Sequence, residues 1–282
     1  MATFEVDVPI RWVDLDAQGH VNNALVVDYL QEARVGALLP GPNGRLLGRG
    51  LVVVGHQVEY LAPIEFSHEP LRVSLRLGDV RAASYRYAYE LRQGATPVAR
   101  ARTQICLFDF EAQRPRRISA AERVWFDEVA EPLDDLPRLD SYRVGASAHE
   151  HAFPVRWSDL DSYGHVNNVR FFAYVGEARV ALNRGLITDA LAVGSASMLM
   201  IVRQDMRYVA QLEHRLEPYL VRTAFAKVGR SSITFAHEIV DPLADGAVIA
   251  RSTAVLVHAD ASGRPTPVPD AVRDAATRWA VD

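Results

Sequence analysis

The sequence predicts an α+β protein made of two tandem copies of one unit, each a strand, one long helix and four further strands, with the helix buried against a curved antiparallel sheet. Three observations predict it. Residues Arg11–Asn23 read RWVDLDAQGHVNN and residues Arg156–Asn168 read RWSDLDSYGHVNN, identical at ten of thirteen positions at a constant offset of 145, and only duplication produces such a match. Around each copy of this motif the apolar period changes, from alternation before it to a spacing of three and four after it. Four further alternating runs then follow in each half.

The first strand is read from Phe4, Val6, Val8 and Ile10 alternating with Glu5, Asp7, Pro9 and Arg11, the period of a strand with one buried face. His151, Phe153, Val155 and Trp157 repeat it. The motif itself, with Asp, Gly, His and paired Asn, suits a loop running into a helix N-terminus, where Asn22 or Asn23, and Asn167 or Asn168, are the natural caps. Val26, Leu30, Ala33 and Ala37, matched by Phe171, Val175, Ala178 and Leu182, form the apolar stripe of the helix. Small residues on or beside the stripe (Ala33, Gly36; Ala178, Ala181) let a sheet approach closely. The Gly- and Pro-rich stretch Pro40–Gly50 ends the first helix, and Gly185 with the residues after it ends the second.

Strands are then expected over Leu51–Leu61, Leu71–Leu77 and Tyr85–Leu91. Tyr60 pairs with Tyr208, Glu65 with Glu213, Ser84 with Ser232 and Glu90 with Glu238 at offset 148, and Ala99-Arg100 with Ala250-Arg251 at offset 151. The insertions therefore sit in turns. Ser119–Val129 and Asp270–Trp279 read as short closing helices. The polar, Pro-punctuated stretch after Glu131 reads as a linker, giving domains 1–130 and 149–282 joined by 131–148.

Composition limits the function. The chain has 282 residues, 49% of them hydrophobic, enough for two cores. A net charge of −4 and scattered basic residues leave no electrostatic footprint for nucleic acid; the run Arg114–Arg117 reads as a solvated turn. The single cysteine, Cys106, reads as a buried inert thiol and excludes a disulfide within the chain. No apolar stretch is long enough for a membrane helix, so the expectation is a soluble, cytoplasmic protein. Asp16 and His20 offer too few ligands for a metal, and no cofactor is implied.

Taken alone, the pair Asp16 and His20, repeated as Asp161 and His165, reads first as a structural loop and only second as a site. The chemistry it could perform is nonetheless definite. Unpaired N–H groups at a helix start are preorganised for an oxyanion, and a carboxylate seven residues earlier can fold back to attack a carbonyl or to take a proton from water. Asp14 and Asp159 read as loop or cap hydrogen-bonders, Glu32 and Glu177 as helix residues facing a partner unit or solvent, and the row Tyr85, Tyr87, Tyr89 as core or interface packing.

Asp-Leu-Asp, then Gly-His-Val-Asn-Asn, then a helix carrying Glu-Ala-Arg resembles the hot-dog thioesterases of the 4-hydroxybenzoyl-CoA thioesterase type and the acyl-ACP thioesterases, nearly end to end in both repeats. The resemblance implies two tandem hot-dog domains forming an internal pseudo-dimer, with active sites at their interface; a homo-oligomer of the whole chain is compatible with it. It implies that Asp16 and Asp161 are the catalytic carboxylates, that His20 and His165 assist, and that the N–H polarising the thioester carbonyl lies near Asn23 and Asn168. The acyl-ACP branch has Asn two residues after the catalytic Asp, whereas this chain has Gln18 and Tyr163, so the two sites are expected to differ. Arg81 and Arg230, near turns, are the candidates for CoA phosphates. The resulting expectation is an acyl-CoA thioesterase needing no cofactor, with an acyl-ACP thioesterase or a non-catalytic acyl-thioester-binding module as alternatives. A hot-dog hydratase would place its Asp and His in a motif this sequence lacks.

Overall fold

A computed structural model describes residues 3–41, 44–48, 50–145, 147–191 and 198–281. The chain divides into two compact units, Met1–Arg138 and Leu139–Asp282. In the first, β1 (Phe4–Val8) leads through the motif loop to α1 (Val26–Leu38), followed by β2 (Leu51–Tyr60), β3 (Leu71–Gly78), β4 (Ser84–Gln93), β5 (Thr96–Asp109), the two-residue β6 (Arg114–Pro115) and α2 (Ala120–Val129). The second repeats this with β7 (His149–Phe153), α3 (Arg170–Leu191), β8 (Met198–Tyr208), β9 (Tyr219–Val228), β10 (Ser232–Asp241), β11 (Ala247–Ala259) and α4 (Asp270–Arg278).

Strand order is β1-β3-β4-β5-β2 in the first unit and β7-β9-β10-β11-β8 in the second, antiparallel throughout. The register shifts between Val53 and Gly55 where β2 meets β5, and between Val255 and Leu256 where β11 meets β8. Such irregularities bend a strand and increase its twist, as a sheet curving about a helix requires.

Each helix lies against its sheet as the stripe predicts: Val26, Leu30 and Ala33 are buried, as are Phe171, Val175, Ala178 and Leu182. Ala37 is only half-buried, and Leu38 takes the last core position. A Cβ on Gly36 would stand 3.1 Å from Val6 Cγ1, so the absent side chain lets β1 come this close. Beneath α1 the row Tyr85, Tyr87 and Tyr89 is fully buried, and Arg34 on the helix donates to the Tyr89 hydroxyl at 3.2 Å. The closing helices complete each core, with Phe126 of α2 against Tyr85 at 4.8 Å between ring centroids, and Val272 and Ala276 of α4 among Phe225, Ile233, Phe235 and Leu256.

Several expectations are corrected. Helix α3 does not stop at Gly185 but runs to Leu191, because one interior glycine costs only about 1 kcal/mol and no proline follows it. The first helix does end before its Pro- and Gly-rich stretch; Pro42, Asn43 and Arg49 of that stretch lie outside the described residues. Trp157 does not extend the buried face of its strand: β7 ends at Phe153 and Trp157 is 76% exposed, since Pro154 ends the pairing and a 3-10 turn begins. Cys106 is half-buried, not buried, and desolvation raises its thiol pKa. Within the basic run, Arg116 is not merely solvated; its two Nη atoms donate to the Glu122 carboxylate, both at 2.9 Å.

Candidate functional site

The motif forms the same closed loop in both units. A 3-10 turn over Trp12–Asp14, or Trp157–Asp159, delivers the chain into it. Leu15 then bridges Val21, and Leu160 bridges Val166. Inside that ring the Asp16 N–H donates to the His20 carbonyl at 2.7 Å and the Gly19 N–H to the Asp16 carbonyl at 3.1 Å; the second copy gives 2.8 and 3.1 Å for the same bonds of Asp161 and Gly164. Gly19 and Gly164 sit at φ +80° and +78°, in the left-handed region that such a tight turn needs.

Asp16 and Asp161 are half-buried. Asp16 Oδ1 accepts from the Gln18 N–H at 2.8 Å and the His20 N–H at 3.3 Å. Asp161 Oδ1 accepts from Tyr163 at 2.8 Å and His165 at 3.4 Å. Both bonds come from backbone, so Gln18 and Tyr163 make the same contact whatever their side chains. This carboxylate is aligned through one oxygen, and among the described residues no donor is bonded to its Oδ2.

The loop ends at the helix start. Asn22 Oδ1 accepts from the Ala24 N–H at 3.0 Å and Asn167 Oδ1 from the Val169 N–H at 3.3 Å. Of the candidate caps, therefore, Asn22 and Asn167 serve. In the first unit a 3-10 turn over Asn23–Leu25 precedes α1. The Asn23 N–H donates to no acceptor among the described residues, while the Asn23 carbonyl accepts from the Tyr60 hydroxyl at 3.1 Å. Tyr208 does the same for the Asn168 carbonyl at 2.8 Å.

The loop is held from two further sides. His20 bridges Glu65, whose N–H donates to Gln93 Oε1 at 3.1 Å and whose carbonyl accepts from Gln93 Nε2 at 2.7 Å. Asp14, 2% exposed, accepts from Arg11 Nε at 3.0 Å, Arg11 Nη2 at 2.9 Å and the Tyr29 hydroxyl at 2.7 Å. Burial would raise the pKa of Asp14, but the Arg11 and Tyr29 hydrogen bonds outweigh it and hold the carboxyl below its ordinary value. Burial, and then this anion, push the Tyr29 phenol up. Asp159 accepts from Tyr174 at 2.8 Å.

The structure thus brings Asp16, His20 and Asn23 together in one loop, and Asp161, His165 and Asn168 in the other. It does not bring Arg81 to them within its unit. Arg81 is exposed in the β3–β4 turn, whereas Gln93, which meets the loop through Glu65, is at the other end of the ten-residue β4, roughly 30 Å away by strand rise. Arg230 stands correspondingly at the β9–β10 turn. Glu32 and Glu177 are exposed on their helices. Sequence reasoning missed the roles of Tyr29, Tyr60, Tyr174 and Tyr208; Tyr29 and Tyr174 match at offset 145, and that identity was the available signal. Beside each loop stands an exposed indole, Trp12 edge-on to Phe66 at 5.5 Å and Trp157 edge-on to His214 at 5.4 Å between centroids. Among the described residues no cluster of His, Cys, Asp or Glu could hold a metal, and no helix is long and apolar enough to cross a membrane.

The sequence pattern of the thioesterase-like superfamily matches residues 10–132 and again residues 155–276. No curated protein sequence matches significantly. Among solved structures, the 12:0-ACP thioesterase from Umbellularia californica superposes with a TM-score of 0.73 at 16% identity, covering 91% of this chain and 94% of that one. An acyl-ACP thioesterase from Bacteroides thetaiotaomicron gives 0.65 at 14% identity, covering 90% and 97%. At such identities the likeness is one of fold.

Proposed function

The chain belongs to the thioesterase-like superfamily, in its two-repeat hot-dog form, and from that membership we propose that it hydrolyses acyl-CoA thioesters at Asp16 and Asp161. One observation carries the reading to these residues. Each aspartate is fixed by backbone N–H groups through Oδ1 while Oδ2 accepts from no described residue, and the Asp16 loop ends where the Asn23 N–H has no acceptor among the described residues.

The chemistry follows from that geometry. Addition of water to the thioester carbon places negative charge on the carbonyl oxygen. The Asn23 N–H at the head of a helix is a donor for that charge, and losing one such donor costs on the order of 3 kcal/mol. Oδ2 of Asp16 either takes the proton from the attacking water or itself adds to the carbonyl. The thiolate leaves readily near neutral pH, which assigns His20 to orienting the substrate more than to protonating the leaving group. No step calls for a cofactor. Asp161 and His165 play the same parts in the second unit, where Asn168 stands at the corresponding helix start.

CoA is favoured as the carrier because the Gly-His-Val-Asn-Asn form of the motif resembles that of the CoA hydrolases. Acyl-ACP is the second reading, since the structures similar along the whole chain include enzymes named for acyl-ACP.

The test is thiol release from panels of acyl-CoA and acyl-ACP by wild type, Asp16→Asn, Asp161→Asn and the double variant, with thermal melts alongside. The amide keeps the shape of the carboxylate, so all variants should fold. The double variant should lose about 10²- to 10⁴-fold in kcat, and the single variants apportion turnover between the units. Release from ACP alone would move the carrier assignment to ACP. Binding without release from either panel would sink the hydrolase reading in favour of a binding module.

A further inference from the structure

Two residues before each candidate catalytic aspartate lies another, Asp14 or Asp159, that no step above uses. It is buried in both units, at 2% and 8% exposure. Taking a carboxylate out of water is costly, and well-packed apolar residues would stabilise such a position at least as well. What the buried carboxylate supplies instead is a fixed connection. The Tyr29 hydroxyl, itself buried on α1, donates to Asp14 Oδ2 at 2.7 Å, and Tyr174 on α3 donates to Asp159 Oδ2 at 2.8 Å. The same aspartates accept through their carbonyls from the first Asn of the cap: Asn22 N–H to Asp14 at 2.9 Å and Asn167 N–H to Asp159 at 2.8 Å.

Each of these residues is therefore tied to its helix twice, once to a side chain of the helix and once to the residue preceding Asn23 or Asn168. Since the loop between is closed by the Leu15–Val21 and Leu160–Val166 bridges, fixing Asp14 fixes the position of the Asp16 carboxylate relative to the head of the helix. The guanidinium around the buried carboxylate differs between copies. Arg11 forks onto Asp14 through Nε and Nη2, whereas Arg156 gives Asp159 only its backbone N–H at 2.9 Å and Arg170 stands 3.6 Å away. Both units keep the arginine backbone N–H on the carboxylate, at 3.3 Å from Arg11 and 2.9 Å from Arg156, together with the phenol and the carbonyl bond.

We propose that Tyr29–Asp14 and Tyr174–Asp159 are positioning pairs that set the register of each reacting carboxylate against its helix N-terminus. The proposal rests on the thioesterase reading above. These residues touch no substrate; they act through the loop, and their loss should appear in the chemical step and not in binding.

The experiment is made in the Asp161→Asn protein, where turnover comes from the first unit; if that variant is silent, the mirror pair Asp16→Asn with Tyr174→Phe is used. Tyr29→Phe removes one hydroxyl and keeps the ring. Misplacement of a reacting group is expensive, so kcat should fall at least about tenfold while KM stays within about twofold. Hydrogen exchange of the Gln18 and His20 amides, which Asp16 Oδ1 holds, should quicken while the β3 and β4 amides keep their protection. An unchanged kcat would overturn the proposal. So would a loss of kcat that comes with general loss of protection, as expected if the phenol only stabilised the fold. Failure of the thioesterase reading looks different: wild type itself would release no thiol from either panel, before any tyrosine is changed.

Discussion

Gly19 and Gly164 show how closely each residue of the motif loop is specified. Both adopt positive φ, and neither has an atom within 4 Å of where a Cβ would stand, so a substitution there meets backbone strain and no clash. Gly19→Ala should therefore cost about 1–2 kcal/mol, and Gly19→Asn distinctly less, because Asn tolerates this region; urea denaturation of the two variants measures the difference. Equal losses would mean that the constraint is steric. At this scale the sequence was only half legible. The family resemblance of the motif pointed to Asp16, His20 and Asn23 with their counterparts, but not to which oxygen of Asp16 is engaged. The expected inequality of Gln18 and Tyr163 rests on their side chains; what both positions share is the backbone N–H bond to Oδ1. Trp157 read as the last buried residue of a strand because alternation does not reveal where pairing stops.

The secondary elements were easier to read, since caps and periods are local. Ser119 begins α2 as the sequence indicates: its hydroxyl accepts from the Glu122 N–H at 3.3 Å and its own N–H donates to Glu122 at 2.8 Å. The fork from Arg116 and this box hold the Glu122 carboxyl down to about 2, against 4.5 ordinarily. A carboxyl depressed in the folded state contributes stability that is complete above its unfolded pKa and is lost as pH falls through the folded one. Glu122→Gln should accordingly be less stable than wild type at neutral pH, with the gap closing between about pH 4.5 and 2. Urea denaturation across that range measures it, and a gap of constant width would assign the loss to packing. Helix α3, by contrast, overran its expected end at Gly185. A glycine signals a stop only where the chain also turns, as it does after α1.

In the molecule as a whole, each unit fills its own core. Phe235 of the second is fully buried among Phe225, Ile233 and Leu256, so Phe235→Ala should destabilise by about 3–5 kcal/mol, seen in urea denaturation and in faster exchange of the β9 and β10 amides. A loss below about 1 kcal/mol would mean that this core repacks. The sequence by itself determined that there are two copies of one unit, which elements each contains and in what order, and where the loop with its aspartate, histidine and helix start lies. Those follow from duplication and from periods and turn chemistry that act over a few residues. Only the tertiary structure decided the strand order β1-β3-β4-β5-β2, the remoteness of Arg81 from its own loop, and the tyrosines that close on the motif from 15 and 37 residues away. Their partners are chosen by which side chains close packing brings within hydrogen-bond reach, and no local pattern in the sequence encodes that distance.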